Sequence, residues 1–155
     1  MKNDGLKITE KKLTPELLST LISMSESWEA EGSCYGYRKN GKEDIEGNRI
    51  FTAEISGMTA GYLFGHISRS EKQSSVMPDG TSLFEVEEIY VVPEMRRRGI
   101  GKELFIYAEN AVKGEAEFMM LSTAVKNWQA IFRFYLDELG MEFWSARLFK
   151  KIADE

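Results

Sequence analysis

The sequence has very few of the residues that build metal centres and disulfides. It contains one cysteine, Cys34, and one histidine, His66, among 155 residues. A single cysteine excludes an intrachain disulfide, and these two residues cannot supply the ligands of a common Cys/His zinc site. A Ser-His-Asp or Cys-His nucleophile system would have to use His66. We interpret His66 as a structural residue at a strand end, because it follows an apolar run and a glycine. No metal is expected.

Long apolar stretches are also missing. No stretch approaches the ~18 apolar residues that a membrane span needs, and residues 1–5 begin no apolar signal region. Lys and Arg number 20 against 25 Asp and Glu, and this net charge of −5 argues against a dedicated nucleic-acid binder. With 43% hydrophobic residues the chain can form a core, and its length fits one domain over residues 1–155. We expect a cytoplasmic protein that binds neither nucleic acid nor membrane.

Capping and turn residues divide the first half of the chain into helices and strands. Thr14 and Pro15 are typical of an N-cap and a first helical residue, and they predict a helix over residues 15–24. Residues 25–31 continue this helix or form a second short one. The other predicted segments are a loop at 32–48, a strand at 49–55, a hairpin turn at 56–58 and a strand at 59–67.

The second half of the chain predicts a crossover between parallel strands. A strand at 83–92 leads through a basic turn into a helix from 101 to about 113, and a short strand follows at 117–122. The expected fold is α+β, a three-layer domain with a mixed, mostly antiparallel sheet, this βαβ core and helices on both faces. The last predicted elements are a helix at 127–139 and closing strands at 141–144 and 148–152. Aromatic residues in the closing strands indicate the edge of a homodimer.

The basic turn before the helix at 101 is the most informative segment. Residues 94–103 contain four basic and two acidic residues in an otherwise acidic chain. A helix N-terminus presents unpaired N–H groups, and Gly99 and Gly101 allow the backbone to approach a ligand closely. This combination predicts a phosphate or pyrophosphate site, with a solvated basic turn that caps a helix as the alternative. The lysine P-loop and the Gly-x-Gly-x-x-Gly dinucleotide patterns are both absent.

The pattern Arg96-x-x-Gly99-x-Gly101, between an apolar strand and a helix, resembles the acetyl-CoA motif of the GNAT superfamily of N-acetyltransferases. The segment from Asn127 to Met141 resembles the second half of that family's cofactor region. The resemblance implies acetyl-CoA as the acetyl donor, a sheet that opens after the strand containing Val91, and a loop oriented by the Arg96 side chain. The implied cofactor-binding residues are Ile89, Tyr90 and Val91 for pantetheine, Arg97, Arg98, Gly99, Ile100, Gly101 and Lys102 for pyrophosphate, and Arg96 and Asn127.

Acetylation of an amine needs a base, because an amine with a pKa of ~10.4 is mostly charged at neutral pH. The strand at 83–92 carries three glutamates, and strict alternation puts Glu85 and Glu87 on the face that holds Ile89, with Glu88 on the other. The resemblance favours Glu87 as the base, with Glu88 as second choice. The alternative is a strand-end acid that pairs with an arginine or faces water.

Tyr135 is the candidate general acid for the coenzyme A thiolate. In the family such a tyrosine lies four residues after an alanine that matches Ala130. Here that count reaches Phe134, and Tyr135 is one residue further, which is about 100° of helix rotation. Either the helix carries a bulge that re-aims Tyr135, or the acid is missing and Tyr135 is a core aromatic residue.

The segment 26–54 combines aromatic residues, among them Tyr35 and Tyr37, with seven acidic and four basic residues. Such a surface suits a cationic amine, although a solvated helix face with a core tryptophan is an equal interpretation. The candidate acceptor-binding residues are Trp28, Glu29, Glu31 and Glu88.

These features together predict an enzyme. We expect an acetyl-CoA-dependent N-acetyltransferase that acts by direct transfer on the primary amine of a small cationic molecule, such as a polyamine, amino sugar or aminoglycoside. The alternatives are an acetyltransferase for protein lysine or N-terminal amines, and a non-catalytic acyl-CoA-binding module.

Overall fold

The computed structural model describes residues 5–73 and 75–153. It contains a five-stranded sheet in the order β1-β2-β3-β4-β5, antiparallel except for the parallel pair β4 and β5. The strands are Lys7–Lys11 (β1), Arg49–Ile55 (β2), Met58–Arg69 (β3), Ser82–Val91 (β4) and Phe118–Met120 (β5). The helices are Pro15–Glu31 (α1), Lys42–Ile45 (α2), Ile100–Val112 (α3) and Trp128–Phe132 (α4), with a 3-10 turn at Pro93–Met95 and a π-helical segment at Arg133–Glu138.

Helix α1 begins and ends at the residues that local chemistry favours. The Oγ1 atom of Thr14 accepts a hydrogen bond from the backbone N–H of Leu17 at 3.1 Å, and Pro15 occupies the first helical position, where a missing N–H costs nothing. Gly32 ends the helix in the left-handed region, with φ of 62°. The helix is continuous to Glu31, so the first of the two alternatives for residues 25–31 is confirmed.

The sheet is covered on both faces, which confirms the three-layer prediction. Helix α3 packs on one face through Ile100, Leu104, Phe105, Ala108 and Val112. Helices α1 and α2 cover the opposite face in a second cluster. This second cluster consists of Leu17, Leu21, Met24, Ile45, Ile50, Tyr62, Phe64 and Tyr90.

A β-bulge interrupts the alternation of β4. Phe64 pairs with Glu88 whereas its neighbour Gly65 pairs with Val86, so Glu87 is an extra residue in β4. A Cβ atom on Gly65 would lie 2.2 Å from the carbonyl oxygen of Glu85, and this close approach requires glycine.

Because of the bulge, the side chains before and after Glu87 do not follow one regular alternation between the two faces of the sheet. Phe84 and Val86 pack on the α3 side, and so does Ile89, although strict alternation would separate Val86 from Ile89. Tyr90 packs on the α1 side. The prediction that Ile89 shares a face with Glu85 and Glu87 is therefore wrong, because the extra residue shifts the period by one.

The predicted crossover is confirmed, since β4, α3 and β5 follow one another and the two strands are parallel. Strand β5 is only three residues long, shorter than the predicted strand at 117–122. The predicted loop at 32–48 contains the short helix α2. Within the described residues, no helix is long and apolar enough to cross a membrane.

The prediction of closing strands at 141–144 and 148–152 is wrong. In the described part of the chain after residue 139, no residue belongs to a strand or helix. Their composition favours β structure, but a strand also needs a neighbour that satisfies its N–H and C=O groups. The segment has no pairing with the neighbouring edge strand β5.

Candidate active site

Strands β4 and β5 are hydrogen-bonded over only a short length. They pair only from Leu83 to Glu85 on β4, whereas β3 pairs with β4 as far as Val91. From Val86 onward, the edge of β4 that faces β5 has no strand partner among the described residues. An unpaired strand edge can hold an extended ligand by main-chain hydrogen bonds. Ile89, Tyr90 and Val91, the predicted pantetheine-binding residues, all lie on this open stretch.

The turn that follows β4 has the geometry of an anion site. Arg97 and Gly99 have positive φ angles of 64° and 78°, so the chain reverses tightly before α3. Gly99 is the N-cap of α3, and no atom lies within 4 Å of the position that its Cβ would occupy. The first-turn N–H groups of Ile100, Gly101 and Lys102 have no acceptor within the helix. These amides, the local dipole and the surrounding basic side chains fit a pyrophosphate group.

The Arg96 side chain ties this turn to two other elements. Its Nε donates to the carbonyl oxygen of Val91 at 2.8 Å. Its Nη1 and Nη2 atoms bind the two carboxylate oxygens of Glu31 at 2.7 and 3.0 Å. The guanidinium also lies 5.4 Å from the ring centroid of Tyr90, whose hydroxyl donates to Glu31 at 3.1 Å. The end of α1, the end of β4 and the basic turn are therefore held together by one bidentate pair.

Trp28 and Glu29, predicted to contact the acceptor, lie on α1 beside this pair. The Trp28 ring stacks on Tyr90 with 5.1 Å between centroids and lies 4.3 Å from Tyr37. The Glu29 carboxylate accepts a hydrogen bond from the backbone N–H of Lys39 at 2.7 Å. Glu29 thus holds the loop after α1 in place. Trp28, Tyr37 and Tyr90 together form an aromatic wall.

The Glu88 side chain lies next to Tyr37, on the α1 side of β4. The hydroxyl of Tyr62, a fully buried residue, donates to its Oε2 atom at 2.7 Å, and the hydroxyl of Tyr37 donates to Oε1 at 3.1 Å. Ser25 lies 2.6 Å from the Tyr37 hydroxyl and extends the network to α1. Burial raises the pKa of the Glu88 carboxyl, and the hydrogen bond from Tyr62 opposes this shift.

Glu87, the extra residue of the bulge, has different surroundings. Its side chain is 46% exposed, and its Oε1 atom lies 3.4 Å from Nδ1 of His66. The other ring nitrogen of His66 lies 3.4 Å from Glu85. The structure thus separates the two candidate bases: Glu87 sits in a solvent-exposed cluster, and Glu88 in a half-buried network of tyrosine hydroxyls.

Tyr135 lies in the π-helical segment Arg133–Glu138, so the helix carries the bulge that one of the two alternatives required. The wider turn absorbs the additional residue between Asn127 and Gly140. Tyr135 is buried, and burial raises the pKa of its hydroxyl. No hydrogen bond to this hydroxyl is present among the described residues. Phe134 instead packs near Gly101, where a Cβ would lie 3.4 Å from its ring.

Asn127 caps helix α4. Its Oδ1 atom accepts a hydrogen bond from the backbone N–H of Ala130 at 3.4 Å. The backbone just before it pairs with the loop after α1, because Tyr35 N–H donates to the Ala124 carbonyl and Lys126 N–H donates to that of Ser33, both at 2.9 Å. This pairing joins the segment before α4 to the loop after α1.

Sequence reasoning missed part of the Glu88 network. Neither Tyr62 nor Ser25 was a candidate, and Tyr37 was noted only as part of an aromatic segment. Tyr62 sits in an apolar run that reads as core, and its proximity to Glu88 depends on the β3–β4 register at the bulge. A polar hydroxyl within a fully buried stretch of strand is the signal that could have identified it.

Comparison with known proteins identifies a matching family. The model of the acetyltransferase (GNAT) family matches residues 17–141 of the chain. No curated protein sequence matches it.

Solved structures with the same fold include several acetyltransferases. The aminoglycoside acetyltransferase meta-AAC0020 from an uncultured soil metagenomic sample has a TM-score of 0.67 and 15% identity, over 97% of this chain and 98% of that one. The aminoglycoside N-acetyltransferase AAC(6')-Iy in complex with CoA has a TM-score of 0.65 and 19% identity, over 96% and 100%. The ribosomal-protein-alanine N-acetyltransferase from Brucella melitensis biovar Abortus 2308 has a TM-score of 0.66 and 16% identity, over 95% of this chain and 99% of that one.

Proposed function

Because the chain belongs to the acetyltransferase (GNAT) family and its acetyl donor is acetyl-CoA, we propose that it acetylates the primary amine of a small cationic molecule. The observation that carries this proposal is the Glu88 carboxylate, which two tyrosine hydroxyls hold beside the open stretch of β4. Bound acetyl-CoA supplies the activated acetyl group, and the chain supplies binding, orientation and proton transfer.

In this proposal the donor is held by backbone groups. The open edge around Ile89 and Val91 pairs with the pantetheine arm, and the amides of the turn, with Lys102, bind the pyrophosphate. Arg96 orients the turn through Val91 and Glu31. We therefore assign Glu31 to positioning of the donor site, because both of its carboxylate oxygens bind the Arg96 guanidinium.

Glu88 is the proposed base, in preference to Glu87. An acceptor ammonium must lose a proton before its nitrogen can attack, and a carboxyl with a raised pKa is a better proton acceptor near neutral pH. The Tyr37 and Tyr62 hydroxyls orient the carboxylate and keep it from rotating. Glu87 is exposed and lies beside His66, so it lacks this restraint.

Tyr135 is the proposed acid for the departing thiolate. A tyrosine hydroxyl has an ordinary pKa of ~10 and is therefore protonated at neutral pH, and this hydroxyl has no hydrogen-bond acceptor in the described part of the chain.

The aromatic wall next to Glu88 supports a small cationic molecule as the acceptor. The Trp28 and Tyr37 rings pack together with 4.3 Å between centroids, and the Tyr37 hydroxyl donates to the Glu88 carboxylate, so electron-rich rings lie close to the proposed base. Two solved structures with this fold are aminoglycoside acetyltransferases, which supports the same acceptor class. A protein acetyltransferase is the second candidate, supported by the ribosomal-protein-alanine enzyme.

Substitution of Gly99 by glutamate should weaken acetyl-CoA binding by roughly tenfold or more, because a carboxylate would stand where the pyrophosphate binds. Gly57→Glu is a matched control: Gly57 has a φ of 76° against 78° for Gly99, and neither Cβ position has a neighbour within 4 Å. Calorimetric titration should show the loss only for Gly99→Glu. Equal affinities in the two variants would rule out the turn as the cofactor site.

A screen of coenzyme A release from acetyl-CoA should identify the acceptor class. We expect turnover with small cationic amines, and little turnover with basic peptides or with peptides that begin with alanine. Preference for a peptide would replace the first function with the second candidate. Cofactor binding without turnover on any amine would instead favour the non-catalytic module.

Glu88→Gln should lower kcat by roughly 10²-fold, the usual contribution of a positioned base. Because the Glu88 pKa is raised, wild-type kcat/KM should fall as pH decreases through an inflection above the ordinary glutamate value of ~4.3. That inflection should disappear in Glu88→Gln and persist in Glu87→Gln. The opposite pattern in a pH–rate profile would return the role of base to Glu87.

Tyr135→Phe should lower kcat with little change in the KM for acetyl-CoA, because it removes only the hydroxyl. The loss should shrink with an acetyl thioester whose thiol has a lower pKa, since a better leaving group needs no proton. Phe134→Leu serves as the packing control. An unchanged kcat in Tyr135→Phe would leave Tyr135 as a core residue.

A further inference from the structure

A chain of hydrogen bonds leads from the loop after α1 to the Glu88 carboxylate. The backbone N–H of Asn40 donates to the Ser25 hydroxyl at 2.8 Å, and Ser25 Oγ lies 2.6 Å from the Tyr37 hydroxyl oxygen. The Tyr37 hydroxyl lies 3.1 and 3.3 Å from the two carboxylate oxygens of Glu88. Ser25 is fully buried and Asn40 is 9% exposed, so water competes little for the first two links.

This hydrogen-bond chain has a single direction. A backbone N–H can only donate, and a hydroxyl carries a single hydrogen. If the Tyr37 hydrogen pointed to Ser25, the Tyr37 oxygen would face both Glu88 oxygens with no hydrogen between them. The Ser25 hydrogen would then also lack an acceptor among the described residues. Every group is satisfied only if Ser25 donates to Tyr37 and Tyr37 donates to Glu88.

We propose that Ser25 is a positioning residue for the base and acts by fixing the direction in which the Tyr37 hydroxyl donates to Glu88. This inference rests on the proposed function of Glu88. Each donor in such a chain is polarised by the donor before it, so the last hydrogen bond is stronger than an isolated one. A hydrogen bond to a carboxylate favours its charged form, which is the form that takes a proton from an acceptor ammonium.

The groups that surround Glu88 are consistent with this role. The Tyr62 hydroxyl donates to it from β3 at 2.7 Å. The Asn40 side-chain amide also favours the charged carboxylate, although its buried Nδ2 atom completes no hydrogen bond within the described residues. The Asp44 carboxylate on α2 opposes the charged form by repulsion. The Tyr37 and Tyr62 hydroxyls, with ordinary pKa values of ~10, keep their hydrogens at neutral pH, and burial raises both pKa values further.

The loop that carries Asn40 has other anchors, so it does not depend on Ser25 alone. The Glu29 carboxylate accepts a hydrogen bond from the backbone N–H of Lys39 at 2.7 Å. The Asp44 carboxylate accepts one from the backbone N–H of Gly41, also at 2.7 Å. These bonds hold the loop on both sides of Asn40. Removal of the Ser25 hydroxyl therefore tests the hydrogen-bond chain more than the position of the loop.

Carbon-13 NMR of the glutamate carboxyl groups tests the chain in the full-length protein without any ligand. Glu88→Gln identifies the Glu88 signal by its loss. In Ser25→Ala the pKa of Glu88 should rise further, by roughly 0.5 pH unit, because the charged carboxylate loses part of its stabilisation. Ser27→Ala is the matched control, because Ser27 lies on the same helix and its hydroxyl donates to the Ser23 carbonyl at 3.3 Å, outside the chain. It should leave the Glu88 pKa unchanged.

Three further variants separate the hydrogen-bond chain from packing. Ser25→Thr keeps the hydroxyl and should retain the wild-type pKa of Glu88. Ser25→Cys fills the same site with only a weak donor, so it should raise this pKa even if Ser25→Ala does not fold. Tyr37→Phe removes the last link, and in that background Ser25→Ala or Ser25→Cys should add no further shift. An unchanged Glu88 pKa in both Ser25→Ala and Ser25→Cys would overturn the proposal, and so would an equal added shift with and without the Tyr37 hydroxyl.

These titrations involve no acetyl transfer, so their outcome is separate from that of the proposed function. If the titrations succeed while the kcat/KM profile lacks the inflection expected for Glu88, the chain stands and Glu88 is not the base. If the titrations fail while the inflection is present, Glu88 remains the proposed base and Ser25 is only a core residue.

Discussion

The β-bulge at Glu87 is the constraint on which the candidate site depends. Gly65 admits the Glu85 carbonyl at a distance that no other residue would tolerate, and this close approach accommodates one extra residue in β4. Beyond it the faces of the strand exchange. Without the exchange, Glu88 would point into the apolar cluster beneath α3, where an unpaired carboxylate is very unfavourable. With it, Glu88 meets the hydroxyls of Tyr37 and Tyr62 on the α1 side.

A second constraint joins the two halves of the site. The Arg96–Glu31 pair connects the turn before α3 to the last residue of α1, and Tyr90 contacts both partners. The Glu31 side chain is only 22% exposed, so this ion pair is less screened than a surface pair. Trp28, three residues before Glu31 on α1, stacks on the same Tyr90 ring. The basic turn before α3 and the aromatic wall therefore belong to one packed unit, and side-chain packing sets the distance between them.

The sequence predicts what is local. Thr14 and Pro15 start α1, the strand-turn-helix-strand order at 83–122 predicts the crossover, and a one-residue excess after Ala130 predicts the π-helical turn as one of two alternatives. What it could not predict depends on distant partners. The face of Glu88 depends on Gly65 in another strand, the role of Glu31 depends on Arg96, and a β-rich composition at 141–152 cannot supply the strand with which it would pair.

Charge illustrates the same limit. The acidic excess of the segment 26–54 suggests attraction for a cation, yet its carboxylates are mostly engaged within the chain. Glu26 pairs with Lys39, Glu29 binds the Lys39 backbone, Asp44 caps the Gly41 N–H, and Glu46 and Glu54 pair with lysines. In the proposed enzyme an acceptor ammonium therefore meets one carboxylate, Glu88, rather than a diffuse acidic field. Discrimination among amines then rests on the shape of the space beside Trp28 and Tyr37 more than on how many charges the amine carries.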